Sequence, residues 1–219
     1  MKFILKGITN SNSILATDSI GMSQYTFDLR PKSFNFVQSR KIVEMISGDT
    51  KSRVYSLLFE NEKDFVIKQL LTQINPSIGE EQNLFLEFAG ITPLVECEKY
   101  EHDYIWHYHD GEKIKNITDT KYLKRIVFRH SDLEYLSSNG ELHGFFNLFS
   151  EYFDRIFIEV QLNWDSPIMF SIFEFFKIPL LSFEITDQVE IGYQNPDHDL
   201  IISHITNVKN MFDEQKENI

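Results

Sequence analysis

The chain has 219 residues, 42% of them hydrophobic, with 33 acidic against 21 basic residues and a formal charge of −12. That length suits one domain with an ample core, while so acidic a surface repels phosphate backbones and anionic lipid heads, making nucleic acid and membrane poor partners. The single cysteine, Cys97, excludes an intrachain disulfide and a zinc site of paired thiolates.

The opening Met1-Lys2-Phe3-Ile4-Leu5-Lys6-Gly7 has too short an apolar run for a signal peptide. The greasy stretch 166–183 is broken by Glu174, Lys177 and Pro179, short of the ~20 apolar residues that span a bilayer. A cytoplasmic protein is expected. In chain order, strand-like runs fall at Lys2–Leu5, Gln24–Leu29, Arg53–Phe59, Asn83–Phe88, Tyr104–Tyr108, Arg125–Phe128, Ile156–Val160 and Leu180–Ile185. They are short, rich in Phe, Ile, Val or Tyr, and bounded by polar residues, as buried parallel strands are. Helical spacing appears at Gln38–Ser47 and at Glu62–Ile74, where Asn61 is placed to cap. A third helix is expected from Ser166-Pro167 and a last one over Pro196–Phe212. Pro93–Asp103 is weak for a helix, 110–124 reads as loop plus a short helix, and the polar tail 213–219 is expected to fray. Eight strands alternating with helices predict an α/β chain folded as one (β/α)8 TIM barrel over 1–212, its many phenylalanines serving as core filler.

Four segments carry more than pattern. Lys6-Gly7-Ile8-Thr9 follows the first strand, and Pro31-Lys32-Ser33-Phe34-Asn35-Phe36-Val37 follows the second. Leu86-Glu87-Phe88-Ala89-Gly90 ends the fourth. Phe183-Glu184-Ile185-Thr186-Asp187-Gln188-Val189-Glu190, then Gly192 and Asn195-Pro196-Asp197, form the last strand, its loop and the helix start. In this order and spacing they resemble phosphoribosylanthranilate isomerase, a (β/α)8-barrel enzyme of tryptophan biosynthesis, over nearly the whole chain. The resemblance implies an aldose–ketose isomerisation without cofactor, in which a base takes a carbon-bound proton and an acid protonates the ring oxygen. It also implies a phosphate held by backbone N–H groups of the loops after strands seven and eight.

At the matched positions the residues depart from the family. Its cysteine base is Lys6 here, its second-strand arginine is Asn35, and its aspartate acid is Arg129, with His130 beside it. The seventh-loop glycines correspond to Val160-Gln161, whose side chains are expected to intrude on the phosphate. The eighth-loop serine-glycine pair corresponds to Asp187-Gln188, after Glu184 at the strand end, and adds negative charge to an anion site. A buried lysine titrates near neutrality only if desolvation dominates; the alternative is an ion pair with Glu184, Glu87 or Glu159. His107, His109 and Asp110, with His130 across the barrel, have the residue types of a divalent-metal site, though local hydrogen bonding is the simpler reading and no metal is expected. No dinucleotide or phosphate-loop fingerprint appears.

The joint departures point to a degenerate barrel without isomerase activity that binds a small molecule or a protein partner at its mouth, its oligomeric state open. Two alternatives remain at this stage. One is a working isomerase with Lys6 as base and His130 or Asp132 as acid. The other is a different enzyme on the same barrel, taking a non-phosphorylated or cationic ligand.

Overall fold

The computed structural model describes residues 1–109, 114–165, 167–175 and 180–217. Eight parallel strands close into a barrel in sequential order: β1 (Lys2–Lys6), β2 (Gln24–Asp28), β3 (Arg53–Phe59), β4 (Gln82–Phe88), β5 (Tyr104–His107), β6 (Leu123–Arg129), β7 (Phe157–Leu162) and β8 (Leu180–Glu184), with β8 paired to β1. Around them run α1 (Ser11–Thr17), α2 (Ser39–Ile46), α3 (Asp64–Ile74), α4 (Leu94–Glu98), α5 (His130–Ser138), α6 (Leu142–Asn147) and α7 (His198–Glu217). A small antiparallel pair, β9 (Glu190–Gly192) and β10 (Asn195–Pro196), follows β8. No helix among the described residues is long and apolar enough to cross a membrane.

Strand alternation sorts the side chains into two populations. One set, including Leu5, Phe27, Tyr55, Leu57, Phe59, Leu86, Phe88, Trp106, Ile126, Phe128, Val160 and Phe183, joins the apolar layer shared with the helices. The opposite set points into the lumen, as contacts between non-adjacent strands require: Lys6 of β1 reaches Glu87 of β4 and Glu159 of β7, and Arg125 of β6 reaches Gln24 of β2. The lumen is therefore lined by Gln24, Thr26, Ser56, Glu87, His107, Arg125 and Glu159 as well as by aliphatic residues such as Ile4, Leu58, Ile105 and Val127.

Strand bounds match the sequence pattern to within a residue or two; the helices differ more. Lys63 rather than Asn61 precedes α3, without a side-chain cap bond, and Asp64 alone places an acid in its first turn. The helix expected from Ser166-Pro167 is a 3-10 turn at Phe170–Phe175, and Ser166 itself lies outside the described residues. The last helix starts at His198, because Pro196 pairs in the β9–β10 hairpin, and runs through Glu217, so residues 213–217 are helical rather than frayed. Helices α1, α5 and α6 carry too few apolar residues at helical spacing to stand out in the sequence.

The loops after β3 and β4 touch closely. A Cβ on Gly90 would lie 2.3 Å from the Glu60 carbonyl oxygen, a backbone atom that cannot swing aside. Gly144, inside α6, has open space around its Cα. Gly90→Ala is expected to lose about 1–3 kcal/mol from the overlap, whereas Gly144→Ala should be neutral or gain up to about 1 kcal/mol of helix stability. Urea unfolding of the two variants measures the contrast.

Candidate functional site at the barrel mouth

Lys6 ends β1 with 1% of its side chain exposed. Its Nζ lies 2.5 Å from Glu87 Oε1 and 2.7 Å from Glu159 Oε1. Glu87 also accepts from Ser56 Oγ at 2.7 Å and Thr26 Oγ1 at 3.2 Å, and meets His107 Nε2 at 2.7 Å. Glu159 Oε2 accepts from Arg125 Nη1 at 2.9 Å, and Arg125 Nη2 donates to Gln24 Oε1 at 2.7 Å. Two cations thus balance two anions inside the lumen. Burial, reinforced by the Lys6 charge, lowers the His107 pKa, so the imidazole is neutral and its Nε2–H donates to Glu87.

The charge states follow from this packing. Burial alone would pull the Lys6 ammonium down, but the Glu159 and Glu87 carboxylates outweigh it and hold its pKa above the ordinary 10.5. Burial pushes both carboxyls up, yet Lys6 and His107 keep Glu87 well below 4.5, and Lys6 and Arg125 keep Glu159 below it. Lys6 is protonated near neutral pH and almost wholly buried, a clamp between two carboxylates. Of the three partners the sequence offers, Glu87 and Glu159 take it and Glu184 does not.

Nearer solvent lies a second cluster. Buried Asp28 accepts Arg30 Nε at 2.9 Å, Arg30 Nη2 at 2.6 Å and Ser33 Oγ at 2.5 Å. Arg30 also reaches Glu184 at 3.3 Å, and Gln161 Nε2 donates to Glu184 Oε2 at 3.2 Å. Asp28 is the main cause of an Arg30 pKa raised still further, so the guanidinium is fixed in place and charged. A cleft of about 400 Å³ opens beside it, lined by Arg30, Lys32, Ser33, Glu60 and Glu62. Arg129, exposed at the end of β6 and in register with Gln161, makes no ion pair among the described residues. Gln188 Nε2 donates to Asp165 Oδ2 at 3.2 Å and joins the loops after β7 and β8, while Asp187 is exposed.

Several sequence expectations need correction. Val160 is a strand residue, not a loop residue; with Glu159 in the lumen it faces the other way, into the apolar layer, and intrudes on nothing at the mouth. The loop after β7 begins at Asn163. Asn35 is 2% exposed and donates to the Ile185 carbonyl at 2.7 Å. It packs where a Cβ on Gly7 (φ +81°) would come within 2.5 Å of Asn35 Nδ2. It stitches two loops and offers a ligand little surface. His130 starts α5 and is buried; its Nε2 accepts the Met169 N–H at 3.2 Å, and burial lowers its pKa. Asp132 is exposed on α5, lining a groove with Tyr108 and Phe145. His107 is committed to Glu87, and His109 Nε2 to the Ala89 carbonyl at 2.9 Å. No metal-binding cluster occurs among the described residues, and Asp110 lies outside them. Arg30, Asp28 and Arg125 were not anticipated. Their signal is polar residues recurring at every second strand position, as in Gln24, Thr26 and Asp28.

The lumen network has a signed pH dependence. Carboxyls held below 4.5 stabilise the fold above that pH and lose the contribution as pH falls toward their folded values; the raised Lys6 pKa adds stability present below 10.5 and lost above the folded value. Lys6→Met leaves two buried carboxylates facing one remaining cation and is expected to cost about 3–5 kcal/mol at pH 7. Mild acidification, by protonating the uncompensated carboxylate, should then stabilise the variant where it destabilises the parent. Chemical denaturation of both proteins between pH 4 and 7 tests the opposite slopes.

No protein-family model and no curated protein sequence matches the chain. Solved structures do. Phosphoribosylanthranilate isomerase from Thermotoga maritima is 18% identical, with 96% of this chain and 99% of that one aligned at a TM-score of 0.63. A phosphoribosylanthranilate isomerase in complex with reduced 1-(o-carboxyphenylamino)-1-deoxyribulose 5-phosphate aligns over 96% and 99% at 17% identity and a TM-score of 0.66. The Pyrococcus furiosus N-(5'-phosphoribosyl)anthranilate isomerase gives 0.60 at 10% identity, over 96% and 99%. The expected fold is thus present from end to end: the chain shares the single (β/α)8 TIM barrel of the phosphoribosylanthranilate isomerases.

Proposed function

We propose that this barrel is a cytoplasmic binding protein that has given up isomerase chemistry and presents its mouth to a small molecule or a protein partner. The observation that carries the reading is Lys6, a protonated ammonium held between Glu87 and Glu159 where proton abstraction needs a base. A general base works when its pKa lies near the operating pH, and two flanking carboxylates move Lys6 the other way. The acid position implied by the resemblance supports the same reading, since it holds Arg129 in place of a carboxyl group.

The corner between the loops after β7 and β8 adds to it. Asn163-Trp164-Asp165 contains no glycine to let backbone N–H groups approach a phosphate, and Trp164 is anchored there by its Nε1–H to the Glu184 carbonyl at 2.6 Å. Asp165 and Asp187 bring negative charge to this corner, and a like charge ~4 Å away is repelled by roughly 4 kcal/mol at an effective dielectric of about 20. A sugar phosphate is disfavoured; a neutral or cationic ligand is not.

Purified protein should show no turnover of phosphoribosylanthranilate above background by loss of anthranilate fluorescence, and the gene should not rescue a tryptophan auxotroph lacking this isomerase. Turnover abolished by Lys6→Ala in a variant that still folds would instead establish an active isomerase using Lys6.

A further inference from the structure

Three of the most exposed large apolar side chains stand on one flank of the mouth: Phe65 at 65%, Ile91 at 77% and Val95 at 75% exposure. The fold sets the segments that carry them side by side. Gly90 rests on the Glu60 carbonyl, which sets Ile91 beside the loop after β3, and Val95 lies in the first turn of α4. Lys99 Nζ at 2.6 Å and Tyr100 Oη at 3.0 Å from Asp64 Oδ1 tie the end of α4 to the start of α3, where Phe65 follows. Between the two helices lies a cleft of about 120 Å³ whose lining includes Glu60, Glu62, Asp64 and Glu96.

This cleft already accommodates a cation. Lys99 occupies it, bridging Asp64 and, at 2.7 Å, Glu96. Glu62 Oε2 accepts the Glu60 N–H at 2.6 Å; neither carboxylate makes an ion pair among the described residues, and both also border the cleft of Arg30 and Lys32. We infer that this flank docks a basic segment of a partner protein: an arginine or lysine enters toward Glu60 and Glu62 while aliphatic neighbours on the same segment cover Phe65, Ile91 and Val95. Charge chooses this occupant. A second copy of the chain brings another −12 charge and the same carboxylates, so self-association here sets like against like. A basic partner gains steering from the whole acidic surface, and a long alkyl stem covers apolar area while its head stays paired. The assignment names the partner chemistry of the binding-protein reading and rests on that reading for its biological use.

The test titrates the intact, isotope-labelled chain with acetyl-Leu-Arg-Ile-Arg-Leu-amide, using acetyl-Leu-Glu-Ile-Glu-Leu-amide as control, and follows backbone amide shifts. Expected are shifts centred on residues 60–65 and 91–99 for the basic peptide alone, weakening with salt. Its Kd should rise about tenfold in both Glu60→Gln/Glu62→Gln and Val95→Ser, surface changes that leave the circular dichroism unchanged. Equal response to the acidic peptide, no shifts up to about 1 mM peptide, or an unchanged Kd in either variant would overturn the assignment. So would a dimer in sedimentation that Val95→Glu dissociates, since the flank would then belong to a second copy. Isomerase turnover would remove the binding-protein reading yet leave the titration as it stands, whereas a silent titration without turnover removes this surface alone.

Discussion

The polar lumen of this barrel is arranged around an ammonium buried between two carboxylates. Lys6 of β1 reaches Glu87 of β4 and Glu159 of β7 across the lumen, while Arg125 of β6 joins Glu159 on the neighbouring strand and Gln24 of β2 on the far side. Barrels of this class usually fill the lumen with layers of Val, Ile and Leu. A well-packed apolar layer of the same volume is often as stable as a buried ion network or more so, because desolvation consumes most of the Coulomb attraction. Stability alone is therefore a weak account of this network. What it does impose is register. Sliding β1 by one residue would turn Lys6 into the apolar layer beneath the helices and strand both carboxylates, a penalty no shuffle of Leu5 and Ile4 offsets.

The same arrangement sets the limits on chemistry. Lysines become bases in barrels and pockets where desolvation dominates and no carboxylate is near. Here desolvation is the largest single influence on Lys6, and it still loses to Glu159 and Glu87 acting together. Other polar groups near the mouth are also held: His107 serves Glu87, His130 accepts the Met169 N–H, and Arg30 is pinned by Asp28, while Asp132 stands exposed on α5. What the mouth offers instead is polar surface with fixed charges: Arg30, Gln161, Glu184, Asp187 and the cleft beside Lys32 and Glu60.

The fold was legible in the sequence because it depends on pattern. Arg53–Phe59 was read to the residue, and the other strands to within one or two, since each is a short run rich in large apolar residues between polar neighbours. Helices were less legible where burial is slight: α5 buries only His130 and Leu133, and α1 is two turns long. The site was legible in part. Lys6 with Glu87 and Glu159 followed from the cost of burying an unpaired charge, a rule that needs only the knowledge that all three end on strands. Val160 was misplaced because a match by spacing put the loop three residues early, whereas alternation from Glu159 would have turned it outward. Arg125 is illegible because its pairing with Gln24 depends on which strands face each other across the lumen, a property of closure, whereas Arg30 meets Asp28 two residues away but in a loop where no pattern marks it.

Closure also explains how the resemblance in fold survives so little sequence identity. Outward positions such as Leu57, Phe88 and Phe183 need only be apolar and of suitable volume, so identity can drift to 10–18% while the barrel persists at TM-scores of 0.60–0.66. Lumen positions are bound to one another more tightly. A lysine here, alone, would leave a cation stranded in the lumen; it requires a carboxylate across the barrel. Two carboxylates then require a second cation, which Arg125 supplies, and Arg125 in turn uses Gln24 for its remaining donor. Lys6 is thus one member of a set whose charges depend on one another: a neutral residue at this position alone would leave Glu87 and Glu159 facing each other with only Arg125 between them.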